Sequence, residues 1–156
     1  MIVREIEKKD NEEVEKLIRS CLVEYNRNIP GTAWEDPNLG SFYELYQAPK
    51  SKYWVVEMDD KIVAGCGIGP VKGSDTICEL QKMYSYEEVR GSGIAKELLK
   101  LSIEFAKNHY EKCYLETFDN MERANAFYIK NGFEKLDKPL GNTDHYACDM
   151  WYMMDL

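Results

Sequence analysis

The chain has 156 residues, 44% of them hydrophobic and 31% charged, enough apolar surface for one compact domain and far from the composition of a disordered chain. A formal net charge of −8 argues against a protein whose main task is gripping nucleic-acid phosphates, so no nucleic-acid partner is expected. Charges begin at Arg4 and no apolar run approaches the length of a membrane span; the expectation is no signal peptide, no membrane partner and a cytoplasmic location.

Ile2-Val3-Arg4-Glu5-Ile6 alternates like a short strand, and Asp10 followed by Glu13 carries capping-box spacing, which predicts a helix. Val14, Leu17, Ile18, Cys21, Leu22 and Tyr25 give that helix one apolar stripe, ended by Pro30-Gly31. Leu39, Phe42, Tyr43, Leu45 and Tyr46 fit a short helix between Pro37 and Pro49. Residues 53–58 and 61–65, joined by Asp59-Asp60, read as a hairpin, and after a turn-rich stretch at 69–75 the residues 76–85 make a neighbouring strand. A glycine-bearing loop leads into a helix from Gly93, with Ile94, Leu98, Leu101 and Phe105 on one face and Ala95, Leu99 and Ala106 beside them.

Residues 113–117 form a strand one helix downstream, which predicts parallel pairing with the strand before it. Asp119 and Glu122 repeat the capping spacing, Ala124, Phe127 and Tyr128 share a face, and Gly132 stands at the expected helix C-cap. The last strand is expected at 146–154. Together these elements predict an α/β (α+β) fold in a single domain over residues 1–156. Its sheet is mixed, mostly antiparallel and of about six to seven strands, with helices on both faces. Five scattered cysteines with no Cys-x-x-Cys pair point to reduced, mostly buried thiols, and neither histidine has ligands at metal spacing, so no metal is expected.

The segment from Glu79 to Ala95 runs from a strand through Gly91 and Gly93 into a helix. It thereby offers bare N–H groups and a helix dipole to phosphate oxygens. Two nucleotide motifs fail here. No Gly-Lys-Ser/Thr follows Gly93, and Lys96 stands where a dinucleotide fingerprint needs its third glycine.

Arg90-Gly91-Ser92-Gly93-Ile94-Ala95 resembles the Arg/Gln-x-x-Gly-x-Gly/Ala signature of the GNAT superfamily of N-acetyltransferases, and Glu79-Leu80-Gln81-Lys82-Met83-Tyr84 resembles its cofactor strand. Tyr114-Leu115-Glu116-Thr117, Arg123-Ala124 and Phe127-Tyr128-Ile129-Lys130-Asn131-Gly132-Phe133 are similar to its second motif block at the expected distance. The resemblance implies direct transfer of an acetyl group from acetyl coenzyme A to a primary amine on a small molecule, peptide or protein. A GNAT-like acyl coenzyme A sensor without turnover is the alternative, and a homodimer is one form the chain could take.

It also implies site residues. Met83, Tyr84 and Ser85 would face the pantetheine arm, and Arg90, Gly91, Ser92, Gly93, Ile94, Ala95 and Lys96 would cradle the pyrophosphate. Met121 stands where the family often has Asn, with Asn120 one residue out of register. Tyr128 takes the position of the tyrosine near the cofactor sulfur, and its phenol, with a reference pKa of about 10, is the candidate acid, or a ring that only packs beneath the cofactor. Glu79 on the cofactor strand is the candidate base, or a solvated strand glutamate, and the amide of Met83 could polarise the carbonyl. Trp34, Asp36 and Tyr46, from the variable region that shapes the acceptor pocket, and His145 before the last strand are candidate acceptor contacts. The aromatics would serve equally as core, and His145 as a plain loop residue.

Overall fold

The computed structural model describes residues 1–141 and 144–156. In chain order the elements are β1 (Ile2–Glu5), α1 (Asn11–Glu24), α2 (Phe42–Leu45), β2 (Lys52–Met58), β3 (Lys61–Pro70) and β4 (Ile77–Ser85). They continue with α3 (Ile94–Lys107), β5 (Lys112–Thr117), α4 (Glu122–Lys130), β6 (Glu134–Leu136) and β7 (Met150–Asp155). The strands form one sheet in the order β1-β2-β3-β4-β5-β7-β6, antiparallel throughout except where β4 and β5 run parallel, as expected for strands joined by a helix.

Alternation along the strands sends side chains to two cores. Tyr53 and Val55 join Val14, Leu17 and Ile18 of α1 on one face, while Trp54 and Val56 join Leu98, Leu99 and Ala106 of α3 on the other. All five cysteines are free thiols.

Helices α1 and α3 begin where the sequence suggested, whereas α4 begins at Glu122 with Met121, not Asp119, at its N-cap. Neither α1 nor α4 has a side-chain cap. The buried Asp10 carboxylate instead accepts from the amide of Glu7 and from the Arg4 guanidinium at 2.7 and 2.9 Å, and Glu13 accepts from the amide of Ile62 across the α1–β3 contact. Asp119 pairs with Arg27. On α3 the buried stripe is Ile94, Leu98, Leu99, Ser102 and Ala106, rotated away from the half-buried Leu101 and Phe105. Ser102 is admitted because its hydroxyl donates to the Leu98 carbonyl. At the other end of α4, Gly132 takes φ +97°, with Phe133 donating to Tyr128 and Gly132 to Ile129, a Schellman closure. The final strand starts at Met150, not at residue 146, and the short β6 on its far side carried no strand signal in the sequence.

Two features of β4 position the site. The first is where it leaves its neighbour: β5 pairs with it only from Ile77 to Glu79, and beyond Glu79 the two strands part. The second is a bulge. Between Gly65↔Tyr84 and Gly67↔Gln81 the register gains a residue on β4, and Lys82 takes φ +50°. The Tyr53 hydroxyl fixes this kink by donating to the Lys82 carbonyl at 2.9 Å.

Gly65 and Gly67 make that contact possible. A Cβ on Gly65 would lie 2.6 Å from the Tyr53 hydroxyl, and one on Gly67 would lie 2.7 Å from the Tyr53 ring and 2.8 Å from Tyr46. Gly67→Ala is therefore expected to cost about 1–3 kcal/mol of stability, as overpacking does. Chemical denaturation checks this, and a variant as stable as the parent would show that the rings move aside freely.

Candidate functional site

On the α3–α4 side of the splay lies a cleft of about 330 Å³. Met83, Tyr84 and Ser85 of β4 form its floor, Gly91, Gly93, Ile94, Ala95 and Lys96 its far end, and Ala124 and Phe127 of α4 its opposite wall. Ile94, Ala95 and Lys96 are the first residues of α3, so their N–H groups have no intrahelical acceptor and the positive end of the helix dipole faces the cleft. Gly91 and Gly93 hold φ of +81° and +92°, backbone that side chains rarely adopt, and a Cβ on Gly93 would meet nothing within 4 Å.

Arg90 also lines the cleft, but its own donors are taken. Its amide donates to Glu87, and its guanidinium is bound to Glu24 at 2.6 and 2.7 Å and to the Ser85 carbonyl. Arg90 thus ties the loop to α1 and β4, with its charge compensated. Arg123 takes the better place for an anion: it lines the cleft, its guanidinium lies 3.8 Å from where a Cβ on Gly91 would be, and among the described residues it has no acidic partner. The sequence does not distinguish the two arginines, because both sit inside the matching motifs.

Across the splay is a smaller, polar cavity of about 50 Å³, lined by Glu79, Gln81, Lys82, Glu116, His145 and Cys148 among others. Met83, Tyr84, Met121 and Tyr128 line both cavities. Tyr128 is buried, and burial raises its pKa well above the ordinary phenol value. Glu79 also has a raised pKa, because burial, aided by the charge of Glu116, outweighs the pull of Lys82. A chain of hydrogen bonds orients it: Tyr46 donates to Gln81 at 2.8 Å, and Gln81 donates to Glu79 at 3.3 Å.

The four expected acceptor contacts divide. Asp36 and His145 meet at 2.8 Å, and Asp36 also binds Lys82 at 2.7 Å. Burial alone would raise the Asp36 pKa, but the hydrogen bond from His145 and the charge of Lys82 hold it below the usual carboxylate range. The loop carrying His145 is docked by a bond from the Ala147 amide to the Gly31 carbonyl. Tyr46 is buried behind Gln81. Trp34 lies outside both cavities, its ring covered by Arg19 at 4.8 Å. Asn120 is held away too, donating to the Tyr25 carbonyl and accepting from Arg27, so Met121 alone occupies that wall. Lys82, Gln81, Glu116 and Cys148 had not been singled out. For Lys82 the missing signal was the bulge, which turns a strand lysine into the cavity.

The model of the acetyltransferase (GNAT) family matches residues 12–133. The chain belongs to the GNAT family. An uncharacterised N-acetyltransferase of Escherichia coli, YjgM, is 39% identical over 99% of this chain and 95% of its own. The N-acetylaspartate synthetase of Xenopus tropicalis is 35% identical over 63% of this chain and 35% of its own length. A GNAT acetyltransferase structure from Staphylococcus aureus superposes with a TM-score of 0.86 at 24% identity, over 99% and 98% of the two chains. An aminoglycoside 6'-N-acetyltransferase bound to coenzyme A does so with 0.72 at 19% identity, over 99% and 97%.

This GNAT protein is therefore an N-acetyltransferase acting on an amine whose identity the relatives do not fix, and GNAT neighbours bind coenzyme A. Among the described residues no helix is long and apolar enough to cross a membrane, and no group of three His, Cys, Asp or Glu could hold a metal.

Proposed function

We propose that acetyl coenzyme A lies in the larger cleft, that the acceptor amine enters the polar cavity, and that transfer occurs at the wall they share. The observation that carries this reading is the shared wall itself, with a buried tyrosine in it and a raised-pKa carboxylate on the acceptor side. The N–H groups of Gly91 to Lys96 and the Arg123 guanidinium take the phosphates. Arg90 braces the loop.

Glu79 accepts the proton of the acceptor ammonium, directly or through water. The freed amine attacks the thioester carbonyl, whose oxygen the splayed β4 backbone near Met83 polarises, and the C–S bond breaks as the amide forms. Tyr128 gives its phenolic proton to the departing thiolate and is restored by the second proton that the acylated nitrogen sheds as the amide forms. Burial makes Tyr128 a weak acid, but the thiolate leaves along the same enclosed wall and has its own basicity raised by the same desolvation. Direct transfer is favoured over an acetyl-cysteine intermediate. Cys148 and Cys21 line the two cavities with pKa values pushed up by burial to about 12 and about 11, so both are thiols at neutral pH.

The decisive experiment measures free thiol release from acetyl coenzyme A over a panel of amines, beside the thermal shift given by the cofactor alone. Expected are a raised melting temperature and turnover with at least one amine. A cofactor shift with no turnover on any amine would favour the sensor reading, and no shift at all would remove the cleft from consideration.

Glu79 also sets a pH dependence. Its folded pKa lies above the unfolded value, so activity should rise with pH as Glu79 ionises, and Glu79→Gln should lose that limb together with most of kcat. Stability moves the other way. A carboxylate with a raised folded pKa contributes most below its unfolded pKa and loses that contribution as pH rises through the folded value. Glu79→Gln is thus expected to be no less stable at neutral pH. Melting temperature and kcat against pH, measured on both forms, check the two signs; an unchanged acid limb would clear Glu79 of the role.

A further inference from the structure

We infer that the acceptor carries a carboxylate beside its primary amine, as a free amino acid does; this rests on the polar cavity being the acceptor site. The cavity walls carry both signs of charge. Glu79 and Glu116 stand on β4 and β5 where those strands separate, and Lys82 and His145 line the same space. A simple cationic amine placed against Glu79 would have its ammonium facing the ammonium of Lys82, which is close enough to Glu79 to lower that carboxylate's pKa. A zwitterion meets both ends of the cavity with the opposite sign.

Lys82 is built into place, with His145 beside it. Lys82 is 12% exposed and sits at φ +50°, a backbone state that costs about 1 kcal/mol or more for a side-chain-bearing residue and is held by the Tyr53 hydroxyl. Asp36 bridges Lys82 and His145 at 2.7 and 2.8 Å and is outside the cavity lining, so it orients both from behind. One Lys82 N–H is spent on Asp36, and an ammonium has three, which leaves donors for a second carboxylate. His145 arrives on a separate loop, docked at Gly31, and closes the same end. At about 50 Å³ the cavity encloses a head group and little more, far below the 300–1,000 Å³ of sites that engulf a whole drug-sized ligand. An amine and carboxylate on one carbon fit that description, with the side chain left toward solvent.

The test compares free amino acids with their methyl esters and their decarboxylated amines, on the parent and on Lys82→Met, by thiol release from acetyl coenzyme A. The parent should turn over at least one amino acid with kcat/KM roughly tenfold to a hundredfold above its ester and its decarboxylated amine, the range expected for a charged hydrogen bond. Lys82→Met should keep the cofactor thermal shift and lose that discrimination. His145→Ala, on the surface loop, gives the same readout if Lys82→Met does not fold. Esters used as well as acids, discrimination unchanged in the variants, or a polyamine or aminoglycoside preferred to every amino acid would overturn the inference. A cofactor thermal shift in each case separates that failure from failure of the cleft assignment.

Discussion

Tyr128→Phe is expected to lower kcat by about a hundredfold to ten-thousandfold, the range for loss of a general acid, with acetyl coenzyme A affinity nearly unchanged. The substitution removes one oxygen from a ring packed among Phe127, Phe133 and Tyr152, at centroid distances of 5.8 to 6.1 Å. Those contacts survive in phenylalanine. The phenol makes no hydrogen bond to another described residue, so removing it strands no buried partner, and the melting temperature should hold or rise slightly. Pre-steady-state measurement of the acetyl-transfer step is the readout. Full kcat with chemistry rate-limiting would leave Tyr128 as a packing ring and hand the proton to water.

Gly93→Val should cost more in binding than in folding. The fold loses about 1–2 kcal/mol by putting a side chain at φ +92°, and a Cβ there meets nothing within 4 Å. The same open space is where phosphate oxygens would approach the first amides of α3. Losing one or two charge-assisted hydrogen bonds of about 1.5–3 kcal/mol each weakens acetyl coenzyme A binding by roughly tenfold or more. Calorimetric titration of the folded variant tests it, and parental affinity would take the loop out of the site.

The elements and their order were legible because periodicity marks them: 3.6 in α1 and α3, alternation in the hairpin, glycine at Gly132. Local chemistry misled where tertiary contacts took over. Asp10 and Asp119 have the identity and spacing of caps, but Arg4 and Arg27 claim their carboxylates. Strand β6 is three residues long and exists only as a partner of β7, so no local pattern could announce it.

At the candidate site, the positive-φ backbone leading into α3 was readable from Gly91 and Gly93, whereas the pairing of the side-chain charges was not. Which arginine is compensated depends on Glu24, sixty-six residues from Arg90 in sequence. The direction of Lys82 depends on a bulge, and the bulge on Tyr53 and on Gly65 and Gly67 of β3, whose missing side chains leave room for the Tyr53 and Tyr46 rings, while Gly69 faces Gln81.

The parting of β4 and β5 after Glu79 has a mechanical side. Strands β1 to β4 form one leaf of the sheet and β5 to β7 another, and their ladder contact is three residue pairs, bound together otherwise by α3 and side-chain packing. A spine that short makes the angle between leaves a soft coordinate, and whatever lies in the gap bears on both covers. If the ligands lie in that gap, as proposed, their binding is expected to stiffen the protein. On that arrangement each turnover would end by withdrawing the brace, leaving the empty enzyme the loosest form in the cycle.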